Sequence, residues 1–233
     1  MSLSRSLATV CLAATALAAD PSSGRKLVFS DDFNGDKLDE SKWVVSGSRD
    51  TISFVKVGKE NALRIGLKMG ANMLQNNSVS TRGKFSQQFG YFEASMRMNA
   101  FDGHTGILRI LTDDEKTAPS ISVTFHSVGK DRINPWARAT LESGMQDYSP
   151  EKPLPAMKSG DASKRFHTYG LLWTEKGFTW YIDGKAVHKL DRKDFTRPMN
   201  LSLIHRIEEF ERPKLNLKSL PDDIDIDWVK VWK

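Results

Sequence analysis

The sequence predicts an all-β sandwich or barrel. Three observations lead there. Short apolar–polar alternations recur along nearly the whole chain. Turn residues separate them at roughly 8–12-residue spacing, and no stretch has a convincing amphipathic helical period. The 233 residues, 39% hydrophobic and 27% charged, suffice for a sizeable buried core. All-β domains of roughly 200–250 residues commonly fold as one unit. The formal net charge of +5 is too small to argue a nucleic-acid partner.

Residues 1–19 read as an export signal. Arg5 supplies a short basic start, Leu7 to Leu17 is an apolar run, and Ala16-Leu17-Ala18 offers small residues for cleavage. The run is too short to span about 30 Å of hydrocarbon. The one cysteine, Cys11, lies inside this segment and away from the cleavage site, which argues against a lipid anchor. A secreted or periplasmic protein is expected, with a single mature domain over residues 20–233 and no thiol. Its stability must then come from the core.

The strands follow in order. Leu27-Val28-Phe29 ends in an Asp-Asp-Phe-Asn-Gly turn, and Ile52 to Val57 runs into a Gly-Lys-Glu-Asn turn before Ala62 to Leu67. Tyr91 to Met98, Gly106 to Leu111, Ile121 to Phe125 and Ala137 to Glu142 alternate in the same way. Phe166 to Trp173 and Phe178 to Ile182 flank the turn Glu175-Lys176-Gly177, and Asp183-Gly184 closes a tight hairpin to Ala186-Val187-His188. Met199 to Ile204 and Ile224 to Trp232 complete about a dozen strands. Single helical turns fit only near Asp39 to Lys42 and Arg192 to Phe195. Thr112 to Pro119 and the proline-bearing Ser143 to Lys164 read as polar loops, and a loop of the second length often borders a binding site.

Four segments in order resemble glycoside hydrolase family 16, which includes laminarinases, lichenases, agarases and carrageenases. The first is Leu27 to Gly35 with Leu38-Asp39 and Lys42-Trp43. The second is Ser80-Thr81-Arg82-Gly83-Lys84-Phe85 followed by Phe89-Gly90-Tyr91-Phe92-Glu93-Ala94. The third joins Phe166-His167-Thr168-Tyr169-Gly170 and Trp173-Thr174 to Trp180-Tyr181-Ile182-Asp183-Gly184-Lys185. The last is the closing strand Asp225 to Trp232. The resemblance implies a concanavalin-like β-jelly roll of two curved antiparallel sheets, with a concave face that holds a polysaccharide.

It also implies retaining cleavage of β-glycosidic bonds, by two carboxyl groups roughly 5–5.5 Å apart. The family carries them as E-x-D-x-x-E or E-x-D-x-E on one strand. Alternation puts the first Glu and the Asp on one face, and the longer version needs a bulge to return the second Glu. Here the matching strand is Ser120 to His126, and the best register places Ser120, Ser122 and Phe125 at the three positions. No Asp or Glu lies between Glu115 and Asp131. A serine without an activating base is a poor nucleophile, and phenylalanine transfers no proton. Catalytic residues are therefore expected to be absent.

The expected protein is a non-catalytic polysaccharide-binding relative of these hydrolases. Its candidate contacts are Glu93, His104, Arg109, His126, Trp136, His205 and Arg206. Trp136 and Phe125 are candidate stacking aromatics, with core packing the alternative for both. Basic and imidazole groups stand near lost acids and tryptophans, so an acidic polysaccharide is expected over a neutral one. The alternative is an active hydrolase with relocated carboxylates among Glu93, Glu142 and Glu208, or a lyase using His104, Arg109, His126, Arg138, His205 and Arg206. No cofactor is expected. Asp222, Asp223, Asp225 and Asp227 are candidate ligands for a structural calcium ion, although alternation assigns Asp225 and Asp227 to the outward face of the closing strand. A monomer without nucleic-acid or membrane partners is expected.

Overall fold

The computed structural model describes residues 20–233 apart from 70–73, 115–116, 129–131, 153, 156 and 158–160, so the expected export segment lies outside the described residues. Among the described residues, sixteen strands form two antiparallel sheets that face each other. The first sheet runs β14 (Lys185–Leu190), β13 (Gly177–Ile182), β12 (His167–Thr174), β7 (Gly90–Arg97), β16 (Asp222–Trp232), β4 (Glu60–Met69) and β3 (Ile52–Val57), with β1 (Leu27–Asp31) also paired to β16 and β5 (Leu74–Gln75) to β4. The second runs β11 (Gly144–Tyr148), β10 (Arg132–Leu141), β9 (Ser120–Val128), β8 (Thr105–Thr112), β15 (Met199–Arg206), β6 (Asn77–Ser80) and β2 (Val44–Ser46). Among the described residues, the one α-helix, α1, is Asp161–Lys164. Among the described residues, no helix is long and apolar enough to cross a membrane.

Alternation decides which side chains enter the core. Phe92, Ala94 and Met96 of β7, with Ile224 and Ile226 of β16, point inward from the first sheet. Leu108 and Ile110 of β8, Ile121, Val123 and Phe125 of β9, and Leu201 and Leu203 of β15 meet them from the second. Each large side chain fully buried this way contributes about 1.5–3 kcal/mol relative to exposure. The sheets are also tied directly: the Trp180 indole N–H donates to the Thr124 carbonyl at 2.7 Å. Phe125 meets Tyr169 edge-on, with ring centroids 5.5 Å apart.

Four strands go beyond the sequence expectation: β2, β5, β6 and β11. The last corrects the long polar loop, since Gly144–Tyr148 pairs with β10 at the edge of the second sheet. Its outward side chains are exposed, so no apolar alternation marks it. Asp39 does start one helical turn, accepting from the Lys42 and Trp43 amides. Arg192 to Phe195 holds no helix; Arg192 and Asp194 pair side by side there instead.

Candidate functional site

The face of the second sheet turned away from the core carries a trough. Three hollows of about 530, 500 and 720 Å³ adjoin along it, sharing Arg206 throughout and Trp136 and Arg138 at one end. The strands supply it by simple alternation. β8 contributes Arg109, β9 contributes Ser120, Ser122 and His126, and β10 contributes Asn134, Trp136, Arg138 and Thr140. Ser202, Ile204 and Arg206 come from β15, Ser78 and Ser80 from β6. Asp147 from β11 and Glu208, Glu209 and Phe210 from the loop after β15 close the far end.

Trp136 is the centre of that end. The Arg138 guanidinium lies 4.7 Å from its ring centroid, and the His126 ring is 5.1 Å away. Arg138 also makes a two-pronged pair with Asp147 at 2.7 and 2.9 Å, and this raises the guanidinium pKa further. The Arg206 Nε donates to Glu208 at 2.9 Å. Burial first, then the charges of Arg206, Arg109 and Arg138, push the His126 imidazole down to about 3. His126 is therefore neutral near pH 7 and a weak base, which removes it as an effective proton abstractor.

The trough has no carboxylate on β9. That strand pairs with β8 and β10 in unbroken register, so no bulge turns an odd position outward. Phe125 accordingly faces the core and is fully buried, which corrects both its assignment to the third catalytic position and its candidacy as a stacking platform. Alternation puts Thr124 on the outward side with Ser120 and Ser122; its hydroxyl donates to the Trp136 carbonyl at 3.1 Å. The carboxylates that reach the trough arrive from its rim: Asp147 and Glu208, each paired with an arginine, and Glu209, which pairs with Arg212 at 3.0 Å.

Arg109, His126, Trp136 and Arg206 thus stand together on this face, with Arg138. Three other candidates do not. Glu93 lies on the outer face of the first sheet, where it accepts from the Tyr91 hydroxyl at 2.8 Å and burial raises its pKa. Tyr91 in turn lies over Gly170, where an added Cβ would meet its hydroxyl at 2.1 Å. His104 and His205 are wholly buried between the sheets. His205 has the parity of Leu201 and Leu203, so the pattern of β15 could have placed it inward. Glu142 is exposed in the turn between β10 and β11. Of the trough residues, Ser78, Ser80, Asn134, Asp147 and Phe210 were missed. The Ser-Val-Ser alternation of β6 was a usable signal; Asp147 had none until β11 paired it opposite Arg138.

The four aspartates of the closing strand do not converge as one ligand set. Asp225 is clasped by Arg64, at 2.7 and 3.0 Å, and by Arg97, while Asp223 lies 3.2 Å from Arg64. These guanidinium groups oppose a calcium ion there. Asp222 turns inward to His104, and Asp227 accepts from Ser95 at a bulge.

Comparison with known proteins matches residues 44–208 to the family model described as glycosyl hydrolases family 16. A beta-glucanase of Fibrobacter succinogenes is 28% identical over 160 residues, covering 63% of this chain and 44% of its own length. The endo-1,3-1,4-beta-glycanase ExsH of Rhizobium meliloti is 33% identical over 122 residues, covering 52% of this chain and 25% of its own. The chain therefore spans less than half the length of these relatives. Among solved structures, the laminarinase from Rhodothermus marinus superposes with a TM-score of 0.75 at 18% identity, over 90% of this chain and 97% of that one. A Bacteroides ovatus family 16 enzyme in complex with a mixed-linkage glucan product gives 0.74 at 18% identity, over 87% and 99%. These structural likenesses establish the β-jelly-roll fold.

Proposed function

The chain belongs to glycosyl hydrolases family 16, and from that premise we propose that it is an exported protein that binds a polysaccharide in the trough without cleaving it. The observation that carries this reading is β9. Its outward positions hold Ser120, Ser122, Thr124 and His126, and none of them can attack an anomeric carbon as a carboxylate or protonate a leaving oxygen. The rim carboxylates are poor replacements. Asp147 and Glu208 are each held in an ion pair with an arginine at the rim. The relatives are named as a beta-glucanase and an endo-1,3-1,4-beta-glycanase, and an active enzyme using those rim groups is the competing reading.

The ligand we propose is an acidic polysaccharide. Arg82, Arg109, Arg138 and Arg206 all line the trough, and guanidinium groups hold carboxylate or sulfate through paired hydrogen bonds. Trp136 offers a ring face for a sugar, already flanked by Arg138. Affinity electrophoresis against alginate, carrageenan and laminarin at two salt concentrations tests this. The expected result is retardation by alginate or carrageenan that weakens as salt rises, because exposed charges are screened over roughly 8–10 Å near physiological ionic strength. Trp136→Ala should weaken that binding about tenfold or more, as loss of a central aromatic contact does. Salt-insensitive retardation by laminarin alone would overturn the acidic ligand and leave a neutral-glucan binder. Export is checked separately, by finding the chain outside the cytoplasm with its first residues removed.

A further inference from the structure

A second cluster lies between the sheets, away from the trough. His104, which precedes β8, His205 near the end of β15, and Asp222 at the start of β16 converge there. Both histidines are 0% exposed and Asp222 is 5% exposed. One ligand atom from each lies within 4.8 Å of the others. His104 Nδ1 is 2.7 Å from an Asp222 carboxylate oxygen, and the two imidazole centroids are 6.2 Å apart.

His205 defines the chemistry. Its Nδ1 is 3.0 Å from the Ile65 carbonyl oxygen on β4. A carbonyl oxygen only accepts, so the proton is on Nδ1 and Nε2 presents a bare lone pair. That Nε2 is buried and has no hydrogen-bond partner. A buried acceptor left this way is destabilising unless something fills the position. The arrangement is also the one in which a metal-bound histidine is held: one nitrogen donates to a backbone carbonyl and the other is free to coordinate.

We propose that His104, His205 and Asp222 form a buried site for a divalent transition-metal ion, zinc(II) by its donor set. Two imidazoles and one carboxylate suit zinc, whereas calcium requires six to eight oxygens. Tetrahedral zinc, with bonds of about 2.0–2.2 Å, draws ligand atoms to roughly 3.3 Å apart. Small rotations of these side chains adjust their present spacing, from 2.7 Å between His104 and Asp222 to at most 4.8 Å across the cluster, to that value. The ion would join the sheets, since His205 belongs to the second, Asp222 to the first, and His205 leans on β4 of the first. One cysteine in the whole sequence leaves no disulfide within the chain, so a metal cross-link would be its covalent-like staple. This inference is independent of how the trough is used.

The test uses the purified chain, stripped with a chelator and then titrated with zinc chloride by calorimetry, with thermal unfolding and a cobalt(II) spectrum alongside. The expected results are one equivalent bound, and a melting temperature raised by about 5–10 °C at one hundred times the dissociation constant. Cobalt should give visible absorption of a low-symmetry, four- or five-coordinate ion. His205→Asn should weaken zinc binding at least about a hundredfold. Asp222→Asn, which keeps the shape of the side chain, should weaken it at least about tenfold. If the wild-type chain binds no zinc and gains no stability, the site holds at most a buried water and the proposal fails. It fails equally if zinc binds unchanged to both variants, because the ion is then elsewhere.

Discussion

His126 lies under Trp136 with Arg109, Arg138 and Arg206 on the neighbouring strands, and Asp147 and Glu208 at the rim. Its imidazole is held down to about 3, by burial foremost. An unfolded histidine takes up a proton near 6.5, so between about 6.5 and 3 the unfolded chain binds one proton more than the folded one at this residue. Stability contributed here is therefore present above about pH 6.5 and is lost as pH falls, by about 1.4 kcal/mol per unit. His126→Gln should remove that slope. Urea unfolding at pH 7 and pH 5 should show the wild type losing about 2 kcal/mol more than the variant; equal losses would contradict the account. Some of this neighbourhood was legible in the sequence. Arg109, His126, Trp136 and Arg206 were named from it, while the strand read from Ala137 left Asn134 outside. His104 and Glu93 do not reach the trough, because the first precedes its strand and is buried and the second belongs to the other sheet.

At the scale of the element, the proposal of binding without cleavage rests on the regularity of β9. A longer carboxylate motif needs a bulge, and the sequence carries no mark of whether a bulge is present; Phe125 was assigned outward for that reason. The unbroken pairing with β8 and β10 turns it inward instead. Phe125→Ala should therefore cost about 3–5 kcal/mol, as deletion of a buried aromatic does, while Ser122→Ala should change stability by less than about 0.5 kcal/mol. Chemical unfolding of the two variants separates inward from outward; comparable effects would overturn the register. The strands that pattern reading missed share a physical reason. β2, β6 and β11 are short and lie at or next to a sheet edge, where one or two apolar side chains satisfy the inner face. The central strands, buried on the inner face along their length, were read to within a few residues.

The whole molecule is a family 16 jelly roll whose trough holds a tryptophan and arginines and has no carboxylate on β9. The two-sheet architecture was legible because strand spacing and four ordered segments agreed. The trough was legible only in part, because its walls come from seven strands distant in sequence and its rim from the loop after β15. The central claim is binding without cleavage. It is tested most directly by incubating the purified chain with laminarin, lichenan, agarose, carrageenan and alginate, while following new reducing ends and proton NMR of the anomeric region. The account predicts no new ends from any of the five, including one that the chain binds. Sustained release of oligosaccharides with retained anomeric configuration, lost in Asp147→Asn or Glu208→Gln, would contradict it and move the catalytic pair to the rim.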